Sequence, residues 1–298
     1  MDFLGFVIIC VKVLVVFSAT MLTVLMMVYA ERRVSAFMQG RLGPNRVGPQ
    51  GLLQPIADGI KFLMKEDIIP AGVNKPIYLL APAMLLIPAL MTFAVIPFGS
   101  TITLFGREVP LQVADLNVGI LYILALTSIG VYGLVLAGWA SNSKYSLIGG
   151  LRSSAQLISY ELAMGLSVVS VILLAGSLKL NVIVEDQQGY LLSWNVFKQP
   201  VAFLIFLVAV YAETNRLPFD LTEAEQELVG GYHTEYSSMK FAMFFTAEYA
   251  NMVTAAALTV TLFFGGWDIP LLNETSMGAL GLSLIHISEP TRPLYISY

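Results

Sequence analysis

Apolar runs of roughly membrane length recur along this chain, and nothing else in the sequence restricts its fold as much. A hydrocarbon layer about 30 Å thick needs about 20 apolar residues in a helix, because only a backbone that satisfies its own hydrogen bonds survives there. Residues 3–30, 77–98, 118–140, 155–176, 200–212 and 241–264 meet or approach that length. The fifth stretch is short and is expected to run on past Glu213, and a seventh apolar start at 277–287 breaks off in a polar tail. The expected fold class is all-α, a polytopic membrane helix bundle with six complete transmembrane helices.

Composition excludes several other classes. Of 298 residues 57% are hydrophobic and 12% charged, against about a quarter charged in an ordinary soluble domain. Such a chain cannot clothe itself in polar side chains, and its mean hydropathy of +0.76 agrees. The net charge of -4, with basic residues interleaved among acids, excludes nucleic acid as a partner. Cys10 is the single cysteine and His233 and His286 are the only histidines, so neither a disulfide framework nor a metal or iron–sulfur site can be assembled. Any redox centre belongs to another subunit. Residues 1–30 lack a basic leader and a small-residue cleavage site, and read as the first membrane helix.

Loop charges give an orientation. Arg32, Arg33, Arg41, Arg46, Lys61, Lys65, Lys75, Lys144, Arg152, Arg216 and Lys240 follow the first, third and fifth stretches, whereas the opposite loops carry Arg107, Lys179 and Lys198. The positive-inside rule then puts the first set in the cytoplasm and the N-terminus outside. Within the long loop 31–75, the turn-rich GRLGPNRVGPQG precedes LLQPIADGIKFLMKED, whose Leu52, Leu53, Ile56, Ile60, Phe62, Leu63 and Ile68 leave another face to charges. This predicts an amphipathic helix, either lying at the cytoplasmic interface or packed on the bundle as an ordinary connection.

Ionisable groups inside the apolar stretches are the candidate chemistry, since each costs at least about 2.5 kcal/mol to insert. Glu161, in AQLISYELAMGLSVV, and Glu248, in FAMFFTAEYANMV, each stand about two turns into a helix beside a tyrosine, Tyr160 and Tyr249, able to bond a carboxyl or a water. Desolvation makes such carboxyls switchable near neutral pH, the chemistry of a proton relay; the plainer role is a protonated carboxyl holding helices together. Lys12 sits near the outer end of the first helix, where its stem snorkels to the interface. The segment AETNRLPFDLTEAEQELVGGYHTEY carries Glu213, Asp220, Glu223, Glu225, Glu227 and Glu235 with only Arg216 as cation. It reads as a proton entry or docking surface, or as a plain acidic loop, with Arg216 expected to pair with one of these acids. Glu31, Arg32, Arg33 and Arg41 follow from topology alone, or line the mouth of a headgroup site.

Three long segments carry a family resemblance: AERRVSAFMQGRLGPNRVGPQGLLQPIADGIKFLMKED, GWASNSKYSLIGGLRSSAQLISYELAMGL and AETNRLPFDLTEAEQELVGGYHTEYSSMKFAMFFTAEYANM. In this order they resemble the signature regions of the H-type membrane subunit of respiratory complex I, the mitochondrial ND-one type. The resemblance implies a membrane subunit of proton-pumping NADH:quinone oxidoreductase, a translocase, which forms the quinone chamber with peripheral iron–sulfur subunits beside small membrane subunits and lipid. It assigns proton coupling to Glu161, Glu213, Glu248, Glu223, Glu225, Glu227 and Glu235, and the quinone chamber to Glu31, Arg32, Arg41, Asp58, Arg216 and Phe219. Quinone, either ubiquinone or menaquinone, is then the substrate, while NAD, FMN and the iron–sulfur clusters stay in partner subunits. On this view Glu213 relays charge created near the cytoplasmic loop to Glu161 and Glu248 through water.

The family has eight membrane helices, whereas this chain ends in SLIHISEPTRPLYISY, which resembles no part of it. Residues 1–282 are therefore expected to form the quinone-module domain and 283–298 a non-native tail, with about two helices missing. Two other functions fit a bundle of this kind. One is the homologous component of an energy-converting membrane-bound hydrogenase, and the other, of a different class, is a freestanding ion transporter, although the internal repeats usual in transporters are absent from the sequence. A passive anchor would not carry Glu161 and Glu248 at their insertion cost.

Overall fold

The computed structural model describes residues 3–99, 101–104, 107–216, 218–222 and 230–267. The expected Glu223, Glu225 and Glu227, the apolar start at 277–287 and the tail 283–298 lie outside these residues.

Helices dominate because the apolar runs leave the backbone no other partner. The first, α1 (Phe3–Met38), is 36 residues long, about 54 Å, so it outlasts the hydrocarbon layer. A loop with a 3₁₀ turn at Pro49–Gly51 leads to the amphipathic α2 (Gln54–Met64). Next comes α3 (Lys75–Met91), with Pro76 in its first turn, where a missing N–H is harmless, and Pro82 and Pro88 inside. A 3₁₀ turn at Thr92–Ala94 ends it. A hairpin of β1 (Thr101–Leu104) and β2 (Arg107–Pro110), in register Ile102 to Val109, leads to α4 (Gly119–Ala140). Then follow α5 (Lys144–Ala175), closed by Gly176 in the left-handed region (φ 66°), the short α6 (Leu180–Glu185) and α7 (Asn195–Lys198), α8 (Pro200–Glu213) and α9 (Ser238–Phe263).

Four of these, α1, the 75–94 segment, α4 and α5, are long and apolar enough to cross a membrane among the described residues. The other two expected spans differ for separate reasons. At 14 residues α8 reaches only about 21 Å, and it stops at Glu213 rather than running past it, because Thr214 and the left-handed Asn215 (φ 47°) turn the chain away. α9 has 26 residues but carries Glu248, Asn251, Thr254 and Thr261, which lower its hydropathy. In the other direction α5 begins at Lys144 instead of 155. Its added turns hold Ser146, Gly149, Gly150 and Ser153, small residues buried against neighbouring backbone rather than lipid.

α3 packs on α4, α4 on α5, α5 on α8, and α9 receives α3, α1 and α2. Two apolar clusters result. One gathers Phe93, Ile123, Val171, Phe206, Leu262 and Phe263, and the other Tyr78, Leu85, Leu134, Tyr232, Tyr236 and Phe244. Phe6, Val11 and Leu14 on α1 remain exposed, as lipid-facing residues must.

Candidate functional site

α1, α2, α9 and the loop after α1 line a half-open chamber of about 910 Å³, near the top of the range for small-molecule sites. Of the expected chamber residues, Glu31, Arg32, Arg41 and Asp58 line it, together with Phe245 and Tyr249. Arg32 donates to the Asp58 carboxylate, which also accepts from Gln54 at 3.3 Å; Arg41 donates to Gln39 at 2.6 Å. Phe219 is placed elsewhere, with its ring edge-on to Tyr160 at 5.3 Å.

α2 forms one wall and is held at its far end. Ser238 donates to the carbonyls of Phe62 (2.9 Å) and Lys65 (3.0 Å), and Lys240 grips Asp67 at 2.5–2.6 Å. Ile56, Ile60 and Leu63 are more than half exposed all the same, so α2 is tied to α9 while presenting an apolar face away from the bundle. That combination suits an interfacial helix.

A smaller cavity of about 40 Å³ lies inside the bundle, lined by Glu161 of α5, Glu213 at the end of α8, and Glu248 and Asn251 of α9, with Thr127 and Tyr232. Its carboxylates, amide and hydroxyls offer water partners among apolar walls, and it is large enough for one or a few waters. The three carboxylates expected in the membrane thus share one space, although they come from three helices. Ser128 donates to Glu161. A second pocket of about 20 Å³ shares Thr127, Glu213, Thr214 and Asn251 with the first and reaches Thr254, whose hydroxyl meets that of Thr92 at 3.0 Å.

Several expectations from the sequence are corrected. Glu161 stands seventeen residues into α5 rather than about two turns in, because α5 starts at Lys144. Of the two flanking tyrosines, Tyr249 bonds a carboxyl as expected, donating to Glu31 at 2.6 Å, and Tyr160 meets the Phe219 ring edge-on. Arg216 pairs beyond its own loop, its Nη1 2.9 Å from Glu31 Oε1 and its Nε 3.1 Å from Glu248 Oε1, while Glu223, Glu225 and Glu227 of that loop lie outside the described residues. Burial opposes its charge, but Glu248, then Tyr249 and Glu31, outweigh that and hold the guanidinium above its ordinary range. Asp220 is pushed up by burial, with Arg216 pulling the other way. Glu235 serves through its carbonyl, which accepts from Tyr78 at 2.7 Å. Lys12 does reach its end of the bundle, where it donates to the Gln112 carbonyl at 3.1 Å.

Gln156 went unnoticed in the sequence. Its Nε2 lies 3.2 Å from the Ala212 carbonyl, 3.1 Å from Asn215 Oδ1 and 3.0 Å from the Phe219 carbonyl, so it fastens the turn that carries Glu213 and Arg216. Ser128 and Asn251 were missed too. An amide or hydroxyl within an apolar helix is the signal that could have found all three, since each needs a partner there.

These features define a polytopic membrane helix bundle with a charged, small-molecule-sized chamber beside an interior carboxylate cavity. The family model described as NADH dehydrogenase matches residues 11–288. Curated relatives include one of the NADH-quinone oxidoreductase H subunits of Geobacter metallireducens, 60% identical over 270 residues, covering 87% of this chain and 78% of that protein. The eighth subunit of NADH-quinone oxidoreductase from Rhodothermus marinus is 60% identical over 257 residues (86% and 73%), and the H subunit from Salinibacter ruber 58% over 258 residues (86% and 72%). The chain belongs to the NADH dehydrogenase family of membrane subunits.

Proposed function

We propose that the chain is the quinone-site membrane subunit of a bacterial proton-translocating NADH:quinone oxidoreductase, in which it couples quinone reduction to proton movement without a redox centre of its own. One observation carries this reading: a chamber of about 910 Å³ rimmed by Glu31, Arg32, Arg41 and Asp58 adjoins a cavity in which Glu161, Glu213 and Glu248 meet. The names of the relatives favour this enzyme over a hydrogenase or a lone transporter.

In this reading the apolar wall of Val24, Phe62 and Phe245 receives the quinone ring, and the Arg32–Asp58 pair and Arg41 orient its polar end. Electrons come from an iron–sulfur cluster in a peripheral partner subunit, which with its NAD and FMN chemistry lies outside this chain. The inner carboxylates exchange protons through enclosed water, and the low dielectric around them makes each charge change felt by the others. The chamber end bears Arg32, Arg33, Arg41, Arg46 and Lys61, and the other end Lys179 and Lys198, bound to Asp115 and Asp186. Facing the chamber toward the cytoplasm, with the N-terminus outside the inner membrane, agrees with that charge bias.

The test is to tag the chain in its native membrane, purify it in mild detergent and assay quinone reduction by NADH. Co-purified flavin and iron–sulfur subunits with inhibitor-sensitive activity are expected, and Asp58→Asn raises the KM for quinone. Purification alone, or with hydrogenase subunits, overturns the reading.

A further inference from the structure

We infer that Arg216 is a shared counter-ion that links the chamber to the inner cavity and makes the protonation of Glu31 and Glu248 interdependent. This rests on the proposed function and adds a positioning residue with a defined task.

Three elements meet at this guanidinium. α1 supplies Glu31 at 2.9 Å, α9 supplies Glu248 at 3.1 Å, and the turn after α8 supplies Arg216 itself. The guanidinium carbon lies 4.8 Å from the centroid of the Tyr249 ring, whose hydroxyl donates to the second oxygen of Glu31 at 2.6 Å. Arg216 Nε also lies 3.2 Å from Met252 Sδ, so a thioether and the Glu248 carboxylate share that side of the guanidinium. Glu31 and Tyr249 belong to the chamber lining and Glu248 to the cavity lining. Arg216 therefore links a carboxylate of one lining to a carboxylate of the other.

One guanidinium bridges two carboxylates, so the charge on either one weakens its hold on the other. A proton taken up by Glu31 from the chamber removes that carboxylate's pull, and the planar fork, with several N–H groups, turns wholly to Glu248. Glu248 then holds its own proton less firmly and releases it to cavity water, toward Glu213 and Glu161. By linkage the reverse holds equally, so a proton returning to Glu248 loosens the one on Glu31. Arg32 is engaged with Asp58, and Asp220 on the loop side adds only negative charge.

The test uses the assembled complex in inverted membrane vesicles, with proton uptake and quinone reduction measured together across pH. Glu31→Gln, Glu248→Gln and the double variant are made with Arg216 present, and again with Arg216→Gln. With Arg216, the double variant is expected to depart from the product of the single effects on proton uptake by about tenfold, and with Arg216→Gln the product holds. The single variants also shift the pH profile only when Arg216 is present. If Arg216→Gln fails to assemble, Arg216→Lys carries the test, because a point charge cannot fork and the departure shrinks. Effects that multiply with Arg216 present, or an unchanged departure in the substituted background, overturn the inference. Failure of the proposed function shows separately, in an unsubstituted complex that reduces quinone without moving protons.

Discussion

Gly149 on α5 and Gly165, four turns further along the same helix, make a matched pair of substitutions with opposite expectations. A Cβ on Gly149 would stand 2.7 Å from both the Cα and the carbonyl carbon of Gly231 and 2.9 Å from the Tyr232 nitrogen. Carbon atoms rest at about 3.5–4.0 Å, so Gly149→Ala drives the Gly231–His233 turn off α5 by about 1 Å. The turn cannot relax easily, since Gly231 holds φ at 68° and Tyr232 and His233 are buried. Overpacking of this kind costs about 1–3 kcal/mol. A Cβ on Gly165 meets nothing within 4 Å, and Gly165→Ala gains up to about 1 kcal/mol of helix propensity. Tyr232 lines the carboxylate cavity, so the first substitution should lower both the melting temperature of the purified complex and its protons moved per electron, while the second leaves both as they are or raises the melting temperature. Differential scanning fluorimetry and proton uptake by vesicles read the two effects. Equal melting temperatures and equal coupling in the two variants would refute the close contact between α5 and the turn.

Other consequences are as concrete. Glu161→Gln keeps an oxygen for Ser128 but cannot ionise; assembly should persist while proton uptake falls by about tenfold or more, as vesicle assays would show. Asp67→Asn leaves the Lys240 ammonium, with only 10% of its side chain exposed, short of its counter-charge. About 1–3 kcal/mol of local stability is lost and the KM for quinone rises as α2 loosens; an unchanged KM would mean that α2 does not depend on this clamp. Burial lowers the His233 pKa from 6.5 to about 4. The unfolded chain therefore binds a proton that the folded chain refuses between pH 6.5 and 4, and stability falls as pH drops through that window, by about 3 kcal/mol in all. His233→Gln should flatten this part of the stability profile, and a profile that stays as steep points to other groups.

Much of the architecture was legible because the membrane accepts only self-bonded backbone. The apolar runs located α4 and α9 closely and the starts of α1 and α3, though α1 runs on to Met38 and α3 stops at Met91, and the alternation of charged and apolar residues around Asp58 located α2. Boundaries failed where small polar residues, rather than apolar ones, were the buried kind: the first turns of α5 look like loop until their glycines and serines are seen packed against backbone. The end of α8 was misjudged because a helix too short to span still places its last carboxylate inside the bundle.

The sequence by itself determined that this protein is a membrane helix bundle and that Glu161 and Glu248 need a reason to be there, since both follow from one-dimensional costs: length against bilayer thickness, and charge against hydrocarbon. Only the tertiary structure decided which charges meet. Arg216 sits nearest in sequence to the acids of its own loop, yet it lies between Glu31, 185 residues away, and Glu248. Gln156 holds the turn 56 to 63 residues further on that makes this possible. Pairing of this kind depends on how helix faces rotate and cross, and that is set by close packing among many small and apolar side chains at once.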